Sequence, residues 1–386
     1  MPRRRLAVLA SHVIQYQDPF FRRLAAEPGL DVTVLFCSRA GAEVYRDEDM
    51  GTSLRWDIEM LQGYEHVFLR NFGWGDGYTR LINPGVVTRV AKYDAVLLML
   101  GWGSISALLA IAACRITGTP FFLFGDSSFP PAVRGLKERA RAVFLRTVFR
   151  RTGAFMTSGV LNAAYYRHYG ADPQRFFMLP WAIDNDRFIE ASRFEPGERD
   201  AMRARFGIGP DQTAFVFSAK LVARKDPMTL LRALAQMPGR DRAAVVFLGH
   251  GELRDALEAY TREQGLNVRF AGFVNQTELP KHYSMCDVFV LPSLYEPRGA
   301  VTNEAMACGL PLIVTDANGS IGDLVLERDN AFVYPAGDAA ALAKAMEAMM
   351  DDALRARMAR RSREIIATWD YDRGVAGVKQ ALETLR

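Results

Sequence analysis

Two carboxylates and a sharp turn stand close together in the run Tyr295-Glu296-Pro297-Arg298-Gly299-Ala300-Val301-Thr302-Asn303-Glu304. The preceding Val288-Phe289-Val290-Leu291 has the composition of a buried strand. Pro297 to Gly299 reads as a turn, and the residues beyond it as a helix that stops at Gly309-Leu310-Pro311. A strand, a tight turn and a helix N-terminus in succession make an anion site, because the first amide hydrogens lack helical partners and the helix dipole adds positive potential. A diphosphate suits such a turn. Glu296 lies in the turn and Glu304 more than a turn into the helix, so they would flank the anion at different depths, one reaching a sugar hydroxyl and the other a ribose. Glutamates at this spacing, taken alone, read as solvated surface charges. Here Tyr295, Pro297 and Ala305-Met306-Ala307-Cys308 surround them with apolar groups, where an unpartnered carboxylate is costly.

A second cluster, Phe217-Ser218-Ala219-Lys220-Leu221-Val222-Ala223-Arg224-Lys225-Asp226-Pro227, also ends a strand. Lys220 and Lys225 are placed to neutralise a departing nucleotide diphosphate, a role in which preorganised cations supply several kcal/mol. A solvated loop is the other reading. Leu248-Gly249-His250-Gly251-Glu252 follows a further strand and enters a helix, although a single GxG is weak evidence.

These groups need elements to hold them. Short Val, Leu and Phe runs alternate with helical patterns throughout, which predicts parallel α/β architecture. In the first half the expected strands are Leu6–Ala10, Asp31–Phe36, Ala95–Leu100, Pro120–Gly125, Ala154–Thr157 and Phe176–Leu179. In the second they are Ala214–Ser218, Ala243–Leu248, Val268–Ala271, Val288–Leu291 and Leu312–Val314. A chain of 386 residues is two domains long. The polar stretch from Asp184 to Arg199, interrupted by Pro196-Gly197, divides it into residues 1–185 and 186–370, followed by a closing helical segment 371–386. Doubly wound sheets bind ligands at the carboxyl ends of their strands, so two facing sheets would hold a substrate in the cleft between them.

The segment from Glu296 to Pro311 resembles the E-x7-E motif of the large retaining glycosyltransferase group called family 4. Further points of resemblance are Lys220 and Lys225, Gly249-His250-Gly251, and Phe270-Ala271-Gly272-Phe273 leading to Cys286-Asp287-Val288-Phe289-Val290-Leu291-Pro292-Ser293. The likeness is specific over residues 180–370 and holds only in outline before them. It implies a GT-B fold, with two Rossmann-like doubly wound domains facing a central cleft, an acceptor-binding N-terminal domain and a nucleotide-sugar-binding C-terminal one. It further implies that Glu304 binds the ribose, and that Lys220, Lys225 and the backbone of Gly299, Ala300 and Val301 hold the diphosphate. Glu296 and the amide of Arg298 would serve the donor sugar, and Gly249 and Phe273 would border the base. The implied reaction is metal-independent, cofactor-free transfer of a hexose from a nucleotide-diphosphate sugar, UDP foremost, with retention at the anomeric carbon. The implied acceptor is a hydroxyl of a glycan or lipid-linked glycan in envelope or exopolysaccharide synthesis. An epimerase or hydrolase of the same fold, or an inactive nucleotide-sugar-binding protein, stays open as an alternative.

Pro297 and Arg298 depart from the Gly-Phe pair common in the motif, which removes one amide donor. Lys220 stands where arginine is more usual, keeping the charge but losing the bidentate fork. Asp184-Asn185-Asp186 resembles a metal-binding DxD, yet its setting, Pro180 to Phe188, is similar to the family's interdomain linker, so Asp184 reads as structural. Many members carry a histidine after an N-domain strand. The corresponding stretch here is Phe124-Gly125-Asp126-Ser127-Ser128, which makes Asp126 the candidate catalytic group beside Glu296, or else the cap of the next helix. His12, Gln15 and Tyr16, after the first strand, are candidates for the acceptor side, although the family's Gly-Gly loop is missing there.

The net charge is only +4, and the excess of base over acid lies in the first half. Arg134 to Arg151 is a basic, amphipathic stretch in which Arg134, Lys137 and Arg141 are candidates to face an anionic membrane. A core-facing stripe with a solvated basic face explains the pattern equally well. No nucleic-acid module accompanies the charge. The apolar start, Leu6 to Ala10, is too short for a signal peptide, and Ala95 to Ile116 is cut by glycine and serine before it could span a bilayer. Cys37, Cys114, Cys286 and Cys308 lie far apart in apolar runs and read as buried reduced thiols. Together these point to a cytoplasmic protein, peripheral on the inner face of the membrane at most, and the absence of GxGxxG after the first strand argues against a dehydrogenase.

Overall fold

A computed structural model describes residues 3–47, 52–75, 77–128 and 135–385. The chain forms two compact units. The first comprises residues 1–45, 58–182 and 370–386, the second residues 46–57 and 183–369. In chain order the strands before residue 180 are β1 (Arg4–Ala10), β2 (Leu30–Phe36), β3 (Tyr45–Asp47), β4 (Thr52–Leu54), β5 (Glu65–Phe68), β6 (Ala95–Leu98), β7 (Phe121–Phe124), β8 (Ala154–Thr157) and β9 (Phe176–Met178). Those after it are β10 (Thr213–Ser218), β11 (Ala243–Leu248), β12 (Val268–Gly272), β13 (Val288–Leu291), β14 (Leu312–Thr315) and β15 (Ala331–Tyr334). All the strands expected from the sequence are present to within two residues.

The first unit is built on the parallel sheet β5-β2-β1-β6-β7-β8-β9. Its central strands β6 and β7 are apolar and buried throughout because both faces are covered. One face packs on Ala107, Ala110 and Ile111 of the helix Ile105–Thr117 and on Leu145, Val148 and Phe149 of the helix Leu136–Phe149. The other face is covered by the helix Asp18–Ala25 and by the closing helix Tyr371–Glu383, which contributes Val375, Val378 and Leu382. Close approach sets that last contact: a Cβ on Gly377 would lie 1.9 Å from the carbonyl oxygen of Met178. Asp370 caps the helix by accepting from the Arg373 amide at 2.8 Å.

The second unit carries the parallel sheet β12-β11-β10-β13-β14-β15. The strand order reverses between β10 and β13, which makes their carboxyl ends a topological switch point, the usual ligand crevice of a doubly wound sheet. Among the described residues no helix is long and apolar enough to cross a membrane, and no group of His, Cys, Asp or Glu is arranged to hold a metal ion. The four cysteines are free and buried, and burial raises the thiols of Cys37 and Cys114 to about 12.

Candidate functional site

The loops leaving β10 and β13 carry both clusters singled out in the sequence. After β10 a single 3-10 turn, Ala223–Lys225, leads into the helix Pro227–Gln236, and Lys225 is buried in it. After β13 the chain turns through Glu296 to Gly299 and enters the helix Ala300–Ala307. Backbone bonds tie the loops together: Leu294 N donates to Arg224 O at 3.0 Å, and the Arg224 guanidinium donates to Tyr295 O at 3.1 Å. Glu296 is fixed by its amide bond to Ala317 O (3.0 Å) and by the bond its carbonyl accepts from Gly319 N (2.8 Å). The Lys225 ammonium and the Glu296 carboxylate then meet in an ion pair. Burial lowers the pKa of Lys225, as do Arg224 and Lys220 nearby, while Glu296 opposes the shift. Lys220 itself is half-buried.

Gly299 is the N-cap of the helix, with no side-chain bond to the first amides, so the amides of Gly299, Ala300 and Val301 lie at its open end. Arg298 is turned inward. Its Nη1 donates to Gly319 O (2.9 Å) and Asp323 Oδ2 (3.1 Å), its guanidinium lies 5.3 Å from the ring centroid of Trp369, and its own carbonyl accepts from Ser320 Oγ (2.6 Å). The Arg298 side chain thus braces the turn.

Glu304 is buried one turn farther along. Tyr283 Oη donates to its Oε2 at 2.9 Å, and burial raises its pKa to about 7 against the bonds from Tyr283 and Gln276 and the charge of Arg187. Arg187 in turn donates to Gln276 through Nη1 to its O (2.7 Å) and Nη2 to its Oε1 (2.8 Å), and Ser218 lies at the Tyr283 hydroxyl. Sequence reasoning did not identify Tyr283, Gln276, Arg187 or Ser218. Tyr283 sits in the short helix Leu279–Ser284, which bears no motif, and Arg187 in the helix Asn185–Ala191, within the linker stretch that was read as structural.

The remaining loops interlock behind this site. Ala219 N donates to Leu248 O (3.1 Å), Leu221 N to His250 O (3.0 Å), and Gly249 N to Gly272 O (2.7 Å). Gly249, at φ +146, allows this, since a Cβ there would lie 2.0 Å from Ala219 O. His250 Nδ1 is buried and has no hydrogen-bond partner among the described residues. Phe273 is half-buried with its ring 6.1 Å from Trp56, whose segment is also tied down by the bond from Asn275 Nδ2 to Arg55 O (2.7 Å). Asp184 caps the helix Asn185–Ala191 by accepting from Arg187 N at 3.2 Å, and Asn185 donates to Ile366 O and Trp369 O, a structural use of that Asp-Asn-Asp.

In the first unit Asp126 is exposed in the loop after β7. It does not cap the next helix, whose N-cap is Gly135. The loop is held by Asn162, which donates to Gly125 O (3.0 Å) and Ser127 O (2.9 Å), and burial, with a smaller contribution from the Asp126 charge, raises the pKa of Tyr78 and Tyr166. His12, Gln15 and Tyr16 are half-buried after β1. His12 Nδ1 shares a 2.9 Å bond with Ser11, and Tyr16 meets Trp181 edge-on at 5.4 Å. Lys137 is exposed, whereas Arg141 is half-buried and paired with Glu138 at 3.5 Å. Arg134 lies outside the described residues.

Apart from Arg187, the switch-point site falls within residues 198–365, which match the family model described as "Glycosyl transferases group 1". Anabaena Alr3699/HepE, solved in complex with UDP, superposes with a TM-score of 0.74 at 17% identity, over 98% of this chain and 100% of that one. The fold is GT-B. Among proteins of similar sequence, the D-inositol 3-phosphate glycosyltransferase of Xylanimonas cellulosilytica is 31% identical over 219 residues, covering 55% of this chain and 52% of the relative. The GDP-mannose-dependent alpha-(1-6)-phosphatidylinositol monomannoside mannosyltransferase of Mycolicibacterium smegmatis is 32% identical over 188 residues, covering 46% and 48%. The chain thus spans about half the length of these curated relatives.

Proposed function

We propose that this protein is a retaining, metal-independent glycosyltransferase that moves a hexose from a nucleotide-diphosphate sugar, UDP foremost, to an acceptor hydroxyl. The observation that carries the reading is the grouping of Lys225, Glu296, Glu304 and an open helix N-terminus at the switch point of the second sheet. In this reading the buried Glu304 accepts the ribose hydroxyls and Gly249 and Phe273 border the base. Lys220, Lys225 and the amides of Gly299 to Val301 hold the diphosphate, and Glu296 takes the sugar hydroxyls.

The acceptor oxygen forms its bond to the anomeric carbon on the face from which the diphosphate oxygen departs. The departing oxygen helps to remove the acceptor's proton, so configuration is retained. Lysines that neutralise the leaving diphosphate leave no need for a glycosidase-like acid or for a divalent cation. Asp126 is the candidate to orient the acceptor hydroxyl, with His12, Gln15 and Tyr16 on the acceptor side. The mannosyltransferase relative is named for a phosphatidylinositol monomannoside, which favours a lipid-linked or glycan acceptor of envelope assembly, handled at the cytoplasmic face of a membrane.

The test is a thermal-shift panel of UDP, GDP and ADP sugars on the native chain and on Lys225→Ala and Glu304→Ala, with EDTA present. A shift with one donor class that disappears in both variants supports the reading. Folded protein that responds to no donor refutes the donor site. Mass and NMR analysis of products then separates transfer from hydrolysis or epimerisation.

A further inference from the structure

We propose that the outer face of the helices Ile105–Thr117 and Leu136–Phe149 docks on a bilayer surface rich in anionic phospholipid. The two helices link β6 to β7 and β7 to β8 and lie side by side in one core cluster. Their inward stripes, Ala107, Ala110 and Cys114 on one and Leu145, Val148 and Phe149 on the other, are already buried. Each helix nevertheless carries a second apolar stripe on its outer side. Ile116 is 85% exposed, Leu136 82% and Val143 64%, with Ile105, Leu108 and Phe144 exposed beside them. At 100° per residue these positions fall on one side of each helix. Core packing accounts for the inner stripes only, and so many large exposed apolar side chains together mark an interaction surface.

Charge selects the partner. The two helices and the turn after them hold seven cations, Arg115 and six between Lys137 and Arg151, against one acid, Glu138. Glu138 is already occupied, accepting from Tyr169 Oη at 2.5 Å and pairing with Arg141 at 3.5 Å. Arg115 crosses from one helix to donate to Thr147 O on the other, and with Arg150 and Arg151 it lines a groove of about 690 Å³ next to Ile116. Guanidinium groups around an open groove suit phosphate headgroups, and the neighbouring apolar side chains suit the acyl layer beneath them. A second copy of this chain would set arginines against arginines. Apolar insertion combined with a basic patch supplies the two signals that stable peripheral binding needs. None of these residues belongs to the donor site, so the proposal stands apart from the sugar-transfer reading.

Flotation of the full chain with liposomes of phosphatidylcholine alone, or equimolar with phosphatidylglycerol, tests it. The protein should float with the anionic vesicles, not with the neutral ones, and should be released by high salt. Neutralising Arg150→Gln and Arg151→Gln should weaken vesicle affinity about fivefold each, and the triple variant Ile116→Ser, Leu136→Ser, Val143→Ser should abolish it. These side chains are exposed, so melting temperature and nucleotide-induced shifts should be unchanged, which keeps loss of docking distinct from loss of fold or donor site. The proposal is overturned if the native chain stays with the unbound fraction, if it floats equally with neutral vesicles, or if the variants float like the native chain. A dimer in solution that the triple serine variant dissociates would also overturn it, by assigning the face to a second copy.

Discussion

Lys225 and Glu296, separated by 71 residues in the chain, form a buried ion pair between the loops that leave β10 and β13. Each charge is therefore paired with the other. An incoming diphosphate would have to take over Lys225 and an incoming sugar Glu296, so donor binding would exchange one set of charge partners for another.

Glu296→Gln should test that exchange. Removing one member of a buried pair leaves the other charge uncompensated, which costs about 3–5 kcal/mol. That loss should be read by urea denaturation. A nucleotide diphosphate should restore the missing partner, so its stabilising shift should be larger in the variant than in the native chain while turnover falls. A variant as stable as the native chain would mean that the pair does not form in solution.

Glu304 predicts a pH dependence. A carboxyl whose folded-state pKa is raised keeps a proton that the unfolded chain has released, so its contribution to stability is intact below the usual carboxyl value of 4.5 and is lost as pH rises through about 7. The difference corresponds to about 3 kcal/mol at most. Glu304→Gln should remove that slope, so that native and variant melting curves measured from pH 4 to 8, about the window of the shift, diverge in the variant's favour toward the alkaline end. The same variant should bind nucleotide roughly ten- to a hundredfold less tightly, since a carboxylate accepting ribose hydroxyls is worth about 1.5–3 kcal/mol.

The parallel sheets were legible because their central strands are buried on both faces and read as unbroken Val, Leu and Phe runs. Two of the edge strands, β5 and β15, were not, although the other two, β9 and β12, were. Glu65-His66-Val67-Phe68 is partly exposed and opens on two polar residues, and Ala331-Phe332-Val333-Tyr334 is only four residues long and follows the polar run Glu327 to Asn330. At the site, Glu296, Glu304, Lys220 and Lys225 were legible from strand-turn-helix spacing. Tyr283, Gln276 and Arg187 were not, because each reaches its partner through tertiary packing between elements distant in the chain. The inward turn of Arg298 was equally hidden, since its partner Asp323 lies 25 residues on.

Gly377 predicts how the closing helix is held. Any side chain at this position must displace the Met178 carbonyl, only 1.9 Å from where its Cβ would sit, and Gly374 is similarly close to Leu179 Cδ1 at 2.8 Å. Overpacking of this kind costs about 1–3 kcal/mol, and more where backbone must move. Gly377→Val should therefore lower the melting temperature and speed proteolysis of residues 370–386, whereas substitution at exposed Lys379 should do neither. Equal protease resistance of Gly377→Val and native protein would show that the helix is not held against Met178.

Arg298 and Asp323 allow stability to be separated from function. Both side chains are about 5% exposed, burial lowers the Arg298 pKa, and its Nε and Nη2 have no hydrogen-bond partner among the described residues. A buried pair satisfied this incompletely is a poor source of net stability, yet breaking it from one side is costly. Asp323→Leu alone should thus lose about 3–5 kcal/mol, and the double variant Arg298→Leu, Asp323→Leu should recover most of it. If the pair exists to brace the turn, the recovered stability should not recover function. Without the bond from Arg298 to Gly319 O, the amides of Gly299 to Val301 are no longer held, so the KM for the donor should stay raised in the stable double variant. A double variant with native stability and native KM would mean that packing alone shapes the turn.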